Sequence, residues 1–286
     1  MPSISPEVSA IRNYIEIMVN LPWNINTEDI EDLNVVKKNL DKTHYDLTEV
    51  KTRIVEYLAV KKQSNSVDTP IICLVGPPGV GKTTLAYSIA KSIGRKFVKI
   101  SVGGVDDEAV IKGHIRTYLG STPGKIIDGI KRAKSSNPVF LIDEIDKMSN
   151  NYKGDPASAL LEVLDSSQNK YFKDNYIEEE FDLSNVIFIT TANDVNEIPE
   201  ALKDRLEIID INGYTEIEKL EISKKYLIPI ICEKHAINNI KISDSELLNI
   251  IRYYTKESGL RELNRMLSKI VRKIVTNKVI GKKSIN

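Results

Sequence analysis

The stretch Gly76-Pro-Pro-Gly-Val-Gly-Lys82-Thr83 restricts this chain more than any other. It satisfies G-x-x-x-x-G-K-[S/T] in full, directly after an apolar strand-like run, Ile71–Val75, and before a helix-like pattern at Leu85, Ile89 and Ile93. Glycines let backbone N–H groups close around phosphate oxygens, and the N-terminus of the following helix favours negative charge. In this reading Gly76, Pro77, Pro78, Gly79, Val80 and Gly81 form the cradle and Lys82 reaches the terminal phosphates. The Thr83 hydroxyl is placed for Mg²⁺, and Thr84 completes the nucleotide-binding set.

Such a loop needs a particular scaffold. Ile71–Val75, Phe97–Val102, Val139–Ile142 and Val186–Thr190 read as buried strands with helix-like stretches between them. Continuous apolar strands separated by helices imply a parallel sheet covered on both faces. After Asn212-Gly213 the strand signals stop and the rest reads as helices, with a cap at Ser243 ahead of Glu246 and a break at Ser258-Gly259. Ahead of the loop, one helical pattern carries Ile11, Ile15, Met18 and Val19 and stops at Leu21-Pro22-Trp23; a second runs from Leu47 to Leu58 and meets the polar connector of residues 61–66. The expected organisation is a helical lead-in over residues 1–62, an α/β nucleotide-binding domain over 63–212 and a small all-α domain over 213–286. At 286 residues the chain is long enough for such a division.

A second element supplies carboxylates. Val139-Phe-Leu-Ile-Asp143-Glu144 is a buried strand ending in two acids, at the edge where ligands bind in open α/β sheets. Asp143 would hold Mg²⁺, and Glu144 could deprotonate a water for attack on the γ-phosphate; the alternative is a solvated Asp-Glu turn. Neighbouring residues of a strand point opposite ways, so the pair must lie where the strand has ended. Asn193, after Val186–Thr190, is either a hydrogen-bond donor to the γ-phosphate or attacking water, or a turn residue. Arg205 stands just outside the sheet, where spacing alone reads as a solvated arginine.

Composition excludes several classes. With 41% hydrophobic and 28% charged residues the chain reads as soluble and globular. Lys+Arg and Asp+Glu both number 40, so no global field draws it to nucleic acid or anionic lipid. Apolar runs such as Tyr226–Ile231 fall far short of a span of about 20 residues, and the first residues lack a signal-peptide pattern; a cytoplasmic or organelle-matrix location without membrane is expected. Cys73 and Cys232 lack metal-ligand spacing and read as buried thiols, while Glu178-Glu179-Glu180 reads as a solvated patch.

One segment remains unexplained by these elements. Gly113-His-Ile-Arg-Thr-Tyr118-Leu119-Gly-Ser-Thr-Pro-Gly124 is a glycine-bounded loop with a large apolar pair at its centre. Tyr118 either packs under its own loop or contacts something outside the chain, and the flanking glycines suggest a mobile segment.

The wording of "RNYIEIMVNLPW", "GPPGVGKTTLAYSIAKSIGRKFV", "GHIRTYLGSTPGK", "NPVFLIDEIDKM", "GDPASALLEVLD", "ITTAN", "DRLEII" and "IIRYYTKESGLREL" resembles the AAA+ ATPase module of the Lon protease family, of a bacterial type, over nearly the whole chain. The resemblance implies an ATP- and Mg²⁺-dependent motor with a parallel P-loop sheet, flanking helices and a small helical lid. It implies that Asn193 is the sensor-1 residue, Arg205 an arginine finger reaching a neighbouring subunit's nucleotide, and Arg261 the sensor-2 arginine. His44 and Tyr45 would border adenine, and Tyr214 would close the pocket. Tyr118 and Leu119 would line a central channel and grip protein substrates, with Tyr152, in Asn151–Gly154, on a second channel loop. A hexameric ring follows, and Arg205 is expected to lack a partner in a monomer. The family's Ser-Lys peptidase dyad has no counterpart here, Ser284 reading as a tail, so the chain is expected to be a module separated from its peptidase domain. Ile115 departs from the family, which commonly carries a basic pair after the loop histidine. Two rival functions are a nucleic-acid remodelling AAA+ ATPase such as a clamp or helicase loader, which would want a basic channel loop, and a scaffold that binds nucleotide without turnover, against which Glu144 argues.

Overall fold

Five segments pair side by side, three of them, Ile71–Val75, Val139–Asp143 and Ile187–Ala192, as nearly or fully buried runs and the two outer ones with buried positions at intervals. In the computed structural model, which describes residues 6–30, 32–63, 70–118, 120–149, 154–238 and 240–280, β1 (Ile71–Val75) is buried at all five positions. β2 (Phe97–Ser101), β3 (Val139–Asp143), β6 (Ile187–Ala192) and β7 (Leu206–Asp210) complete a sheet of order β2-β3-β6-β1-β7. Every pairing in it is parallel. Two short strands, β4 (Phe172–Lys173) and β5 (Glu180–Phe181), form a separate antiparallel pair.

The chain divides into two compact units, residues 1–40, 48–75 and 83–210 in the first, and 41–47, 76–82 and 211–286 in the second. The helices that belong wholly or largely to the first are α1 (Pro6–Asn20), α2 (Leu33–Thr43), α3 (Thr48–Gln63), α4 (Lys82–Ser92), α5 (Ala109–Lys112), α6 (Lys125–Ala133), α7 (Pro156–Leu164) and α8 (Glu200–Lys203). Its core gathers Val98, Ile100, Phe140 and Ile142 from the sheet with Ile126, Ile127 and Ile130 of α6 and Leu160 and Val163 of α7. α6 crosses β3 so closely that a Cβ on Gly129 would lie 2.4 Å from the Phe140 ring. At the other end of the strands, Arg95 holds Asp29 through two bonds of 2.6 and 2.7 Å. The Lys61 ammonium donates to the Val186 carbonyl at 3.1 Å nearby. Burial, with the Arg95 charge adding, lowers Lys61 to about 8.

The strand at Leu206–Asp210 and the helix at Leu33–Thr43 go beyond the sequence reading. β7 reads Leu-Glu-Ile-Ile-Asp and lies at the sheet edge, where only Leu206 and Ile209 are buried. α2 is anchored by just Val36 and Leu40 among polar residues.

The second unit is helical: α9 (Glu216–Ile222), a π-helical turn (Ser223–Leu227), α10 (Ile228–Lys234), α11 (Asp244–Tyr254) and α12 (Arg261–Val279). Pro229 lacks the N–H that an α-helical ladder needs, and the π turn stands just ahead of it. Thr215 with Glu218, and Ser243 with Glu246, are reciprocal capping boxes that start α9 and α11. Leu263, Leu267 and Val271, one turn apart on α12, meet Ile228, Ile231, Leu247 and Ile251. Cys73 and Cys232 are both buried and form no disulfide with each other. Among the described residues, no helix is long and apolar enough to cross a membrane.

Candidate functional site

The glycine-rich loop is held by backbone geometry that side chains would forbid. Gly76 and Gly79 have φ of 154° and 86°, and a Cβ on Gly76 would sit 2.1 Å from the Ile211 carbonyl oxygen. Two hydrogen bonds fix the loop within the second unit, and a third holds Tyr214, which donates one of them. Leu260 N–H donates to the Gly79 carbonyl at 3.0 Å, the Tyr214 hydroxyl donates to the Val80 carbonyl at 2.8 Å, and Tyr214 N–H reaches Ser258 at 2.9 Å. Fixing the carbonyls sets the orientation of the peptide planes, which is what an anion cradle requires. Burial pushes the Tyr214 hydroxyl up to about 12, so it stays a donor. Lys82 folds back, its ammonium donating to the carbonyls of Gly76 and, at 3.2 Å, Pro77.

Arg261 begins α12 beside this loop: its N and Cβ would each be 3.2 Å from a Cβ on Gly79. Its position depends on Glu257, whose carboxylate accepts from the N–H groups of Arg261, Glu262 and Leu263 at 3.0, 2.5 and 2.9 Å. Three donors left open at a helix start are thereby satisfied. His44 is buried, with Nδ1 2.9 Å from the Thr43 hydroxyl, and Tyr45 lies under the Lys225 ammonium at 5.1 Å. Both residues belong to the unit that contains the loop.

The carboxylates belong to the first unit, as does Thr83, the first residue after Lys82. Asp143 is the last residue of β3, and Glu144 follows with φ 64° and ψ 48°, a left-handed conformation uncommon for a non-glycine residue. That kink separates the directions of the two side chains. Thr191, on the adjacent strand β6, links them: its hydroxyl donates to Asp143 Oδ1 and accepts from Glu144 N–H at 3.1 Å. Asp143 Oδ2 pairs with Lys99 of β2 at 2.6 Å, and Glu144 Oε1 with Lys147 at 2.7 Å. Asn193 follows β6 directly, its N–H donating to the buried Asp146 at 2.9 Å. Because β3, β6 and β1 are neighbours, Asp143, Asn193 and the exit of the chain toward the loop at Val75 share one sheet edge.

Among the described residues no group of three or more His, Cys, Asp or Glu could hold a metal. The oxygen donors present, Thr83 hydroxyl and Asp143 carboxylate, fit Mg²⁺, a hard cation that completes its shell with water and phosphate. Thr191, Lys99 and Asp146 were not singled out by sequence. Thr191 and Lys99 sit on strands of their own, and only strand pairing brings them to Asp143.

Arg205 requires a correction. It was expected to lack a partner in a monomer, yet its guanidinium pairs with Asp165 of the same chain at 3.0 Å while half exposed. Asp165 is fixed beforehand by the hydroxyl and N–H of Ser167, which with Arg205 hold its carboxyl below the usual range.

The Gly113–Gly124 loop also departs from expectation. Tyr118 is 65% exposed, so it does not pack under its own loop. Its glycines, however, form a tight neck rather than hinges: Gly113 and Gly124 approach so closely that a Cβ on Gly124 would lie 2.7 Å from the Gly113 nitrogen. Ile115 is exposed, while Arg116 lies 4.3 Å over the Tyr14 ring and pairs with Glu178 at 3.0 Å. Leu119, Asn151–Lys153 with Tyr152, and Ser284 lie outside the described residues.

A glycine-rich loop that follows β1 with its carbonyls held, and a pair of acids at the end of β3 in the same parallel sheet, are the elements of a P-loop ATPase. The family model for AAA, the ATPase family associated with various cellular activities, matches residues 72–213. The chain belongs to that family, and residues 233–285 match the Lon protease AAA+ ATPase lid domain. It is 58% identical over 275 residues to Lon protease 1 of Bacillus subtilis, covering 96% of this chain and 36% of that relative. It is 56% identical to Lon protease of Clostridioides difficile, with 95% and 35% covered, and 53% identical to that of Buchnera aphidicola, with 99% and 36% covered. The chain thus spans about a third of the length of the curated relatives it matches. These findings give the clamp-loader and helicase-loader alternative no support.

Proposed function

We propose that this chain is the ATP-hydrolysing motor of an ATP-dependent, Lon-type protease. It works in the cytoplasm as a hexameric ring and threads unfolded or damaged polypeptides toward a peptidase domain of the same full-length protein. Its division is into a lead-in over residues 1–62, the large AAA+ domain over 63–212 and the lid over 213–286. The observation that carries the reading is Glu144, turned out of the strand line by its left-handed backbone and braced by Thr191.

Lys82 exchanges the carbonyls of its own loop for phosphate oxygens, while Gly76–Gly81 and the start of α4, with Thr83 and Thr84, present N–H groups to the phosphates. Thr83 and Asp143 would hold Mg²⁺, which withdraws charge from the phosphate oxygens when bound. Glu144 accepts a proton from the water that attacks the γ-phosphorus as the bond to the leaving ADP oxygen breaks. Asn193, steadied by Asp146, aims its amide at that water or the γ-phosphate. Arg261 senses the nucleotide from the lid, while His44, Tyr45 and Tyr214 enclose the adenine side. Arg205 leaves Asp165 to reach the nucleotide of the next subunit. Tyr118, with Leu119 and Tyr152, contacts the threaded chain, since a flat ring meets any extended polypeptide with little sequence preference.

Phosphate release from Mg-ATP tests the proposal. Glu144→Gln is expected to bind ATP as the parent does and to lose about 10²-fold or more in turnover. Turnover at the parent rate would remove Glu144 from the mechanism.

A further inference from the structure

The loop that carries Tyr118 is tied at its neck by a residue remote in sequence. Asp174, immediately after β4, is fully buried. Its Oδ2 accepts from Gly124 N–H at 2.7 Å, and its Oδ1 accepts from Tyr176 N–H at 2.8 Å and Ile177 N–H at 3.3 Å. The same carboxylate fills the space beside Gly113, where a Cβ would be 2.6 Å from Oδ1. Asn175 holds the other side of the neck, with its N–H on the Lys112 carbonyl at 2.7 Å and its side-chain amide on the Gly113 carbonyl at 3.1 Å. Just above, His114 N–H donates to the Thr122 carbonyl at 3.1 Å.

Two consecutive side chains therefore clamp the chain where it enters the loop and where it leaves. Beyond the clamp, residues 114–118 are exposed. A side chain that transmits force to a polypeptide needs a fixed base, because a loop free at both ends would yield before its tip could pull. A carboxylate suits this neck because it only accepts, and three N–H donors converge on its two oxygens.

We propose that Asp174, assisted by Asn175, is a positioning residue for polypeptide contact by Tyr118: it locks the neck of the Gly113–Gly124 loop and so fixes where the aromatic tip is presented. This rests on the reading of Tyr118 as the gripping residue. An asparagine at 174 keeps the shape but turns an NH₂ group toward one of the N–H donors, so the clamp opens locally. Burial outweighs the three backbone donors and holds the Asp174 carboxyl above its ordinary value.

Two readouts on the 286-residue chain separate the neck from its use. Trypsin cleavage after Arg116 reports opening of the loop; binding of fluorescein-labelled unfolded casein in the presence of Mg-ATP reports the grip. For Asp174→Asn, cleavage at Arg116 is expected to accelerate about tenfold with other sites unchanged, and casein affinity to fall about tenfold. Basal phosphate release should stay within about threefold of the parent. An unchanged cleavage rate at Arg116 would overturn the proposal. So would faster cleavage with undiminished casein binding, in a series where Tyr118→Ala loses that binding. If Tyr118→Ala itself binds casein like the parent, the gripping role falls first and the positioning role with it. Should Asp174→Asn fail to give a cooperative melt, Asn175→Ala, which removes only the tie to the Gly113 carbonyl, is judged by the same two measurements and the same outcomes.

Discussion

Thr191 shows how one hydroxyl can organise two acids. It serves Asp143 as donor and the Glu144 backbone as acceptor, so Thr191→Val removes both links while nearly preserving volume. Turnover is expected to fall about 10- to 100-fold, the usual effect of removing a group that orients a ligand, with stability lower by about 1–3 kcal/mol from the orphaned Glu144 N–H. Phosphate release and urea unfolding check the two halves of that expectation. Lys61 makes a different residue-scale prediction. Its folded value of about 8 lies below its ordinary 10.5, so between those pH values the unfolded chain binds the extra proton. Its contribution is present above 10.5 and lost as pH falls through 8. The parent should therefore gain on the order of 1–3 kcal/mol relative to Lys61→Met between pH 8 and 10.5, read from urea midpoints. Parallel pH profiles for the two proteins would contradict the burial of that ammonium.

At the scale of elements, what sequence reveals depends on where each element's partners lie. β1 and β3 are continuous apolar runs because both their faces are covered, and they are legible as strands without knowledge of the fold. β7 is not, because an edge strand is only half covered and its Glu207 and Asp210 read as loop. The glycine-rich loop and its lysine are local and legible; Glu257, which caps α12 from four residues away, and Asp174, which closes a loop fifty residues earlier, are not. Glycine permits close approach as well as motion, and at the neck formed by Gly113 and Gly124 close approach is what the structure uses. For α12 the consequence is measurable. Glu257→Ala should lower stability by about 1 kcal/mol, while Glu257→Gln, still an acceptor, should lose less; equal melting temperatures for all three proteins would remove Glu257 as a cap.

For the whole molecule, the Arg205–Asp165 pair bears on the proposed sharing of sites between subunits. Arg205 has a partner within its own chain, so assembly cannot be inferred from an unpaired charge. The pair is instead a contact that ring formation would exchange, and an arginine acting on a neighbour's nucleotide can contribute roughly 10³–10⁵ in rate. The most direct test of a motor with shared sites is phosphate release by an equimolar mixture of Arg205→Ala and Glu144→Gln proteins, each inactive alone. In a random mixed ring about a quarter of the interfaces join an intact Glu144 to an intact Arg205, and activity should return there. Mixed rings that demonstrably form yet release no more phosphate than either variant alone would contradict the account.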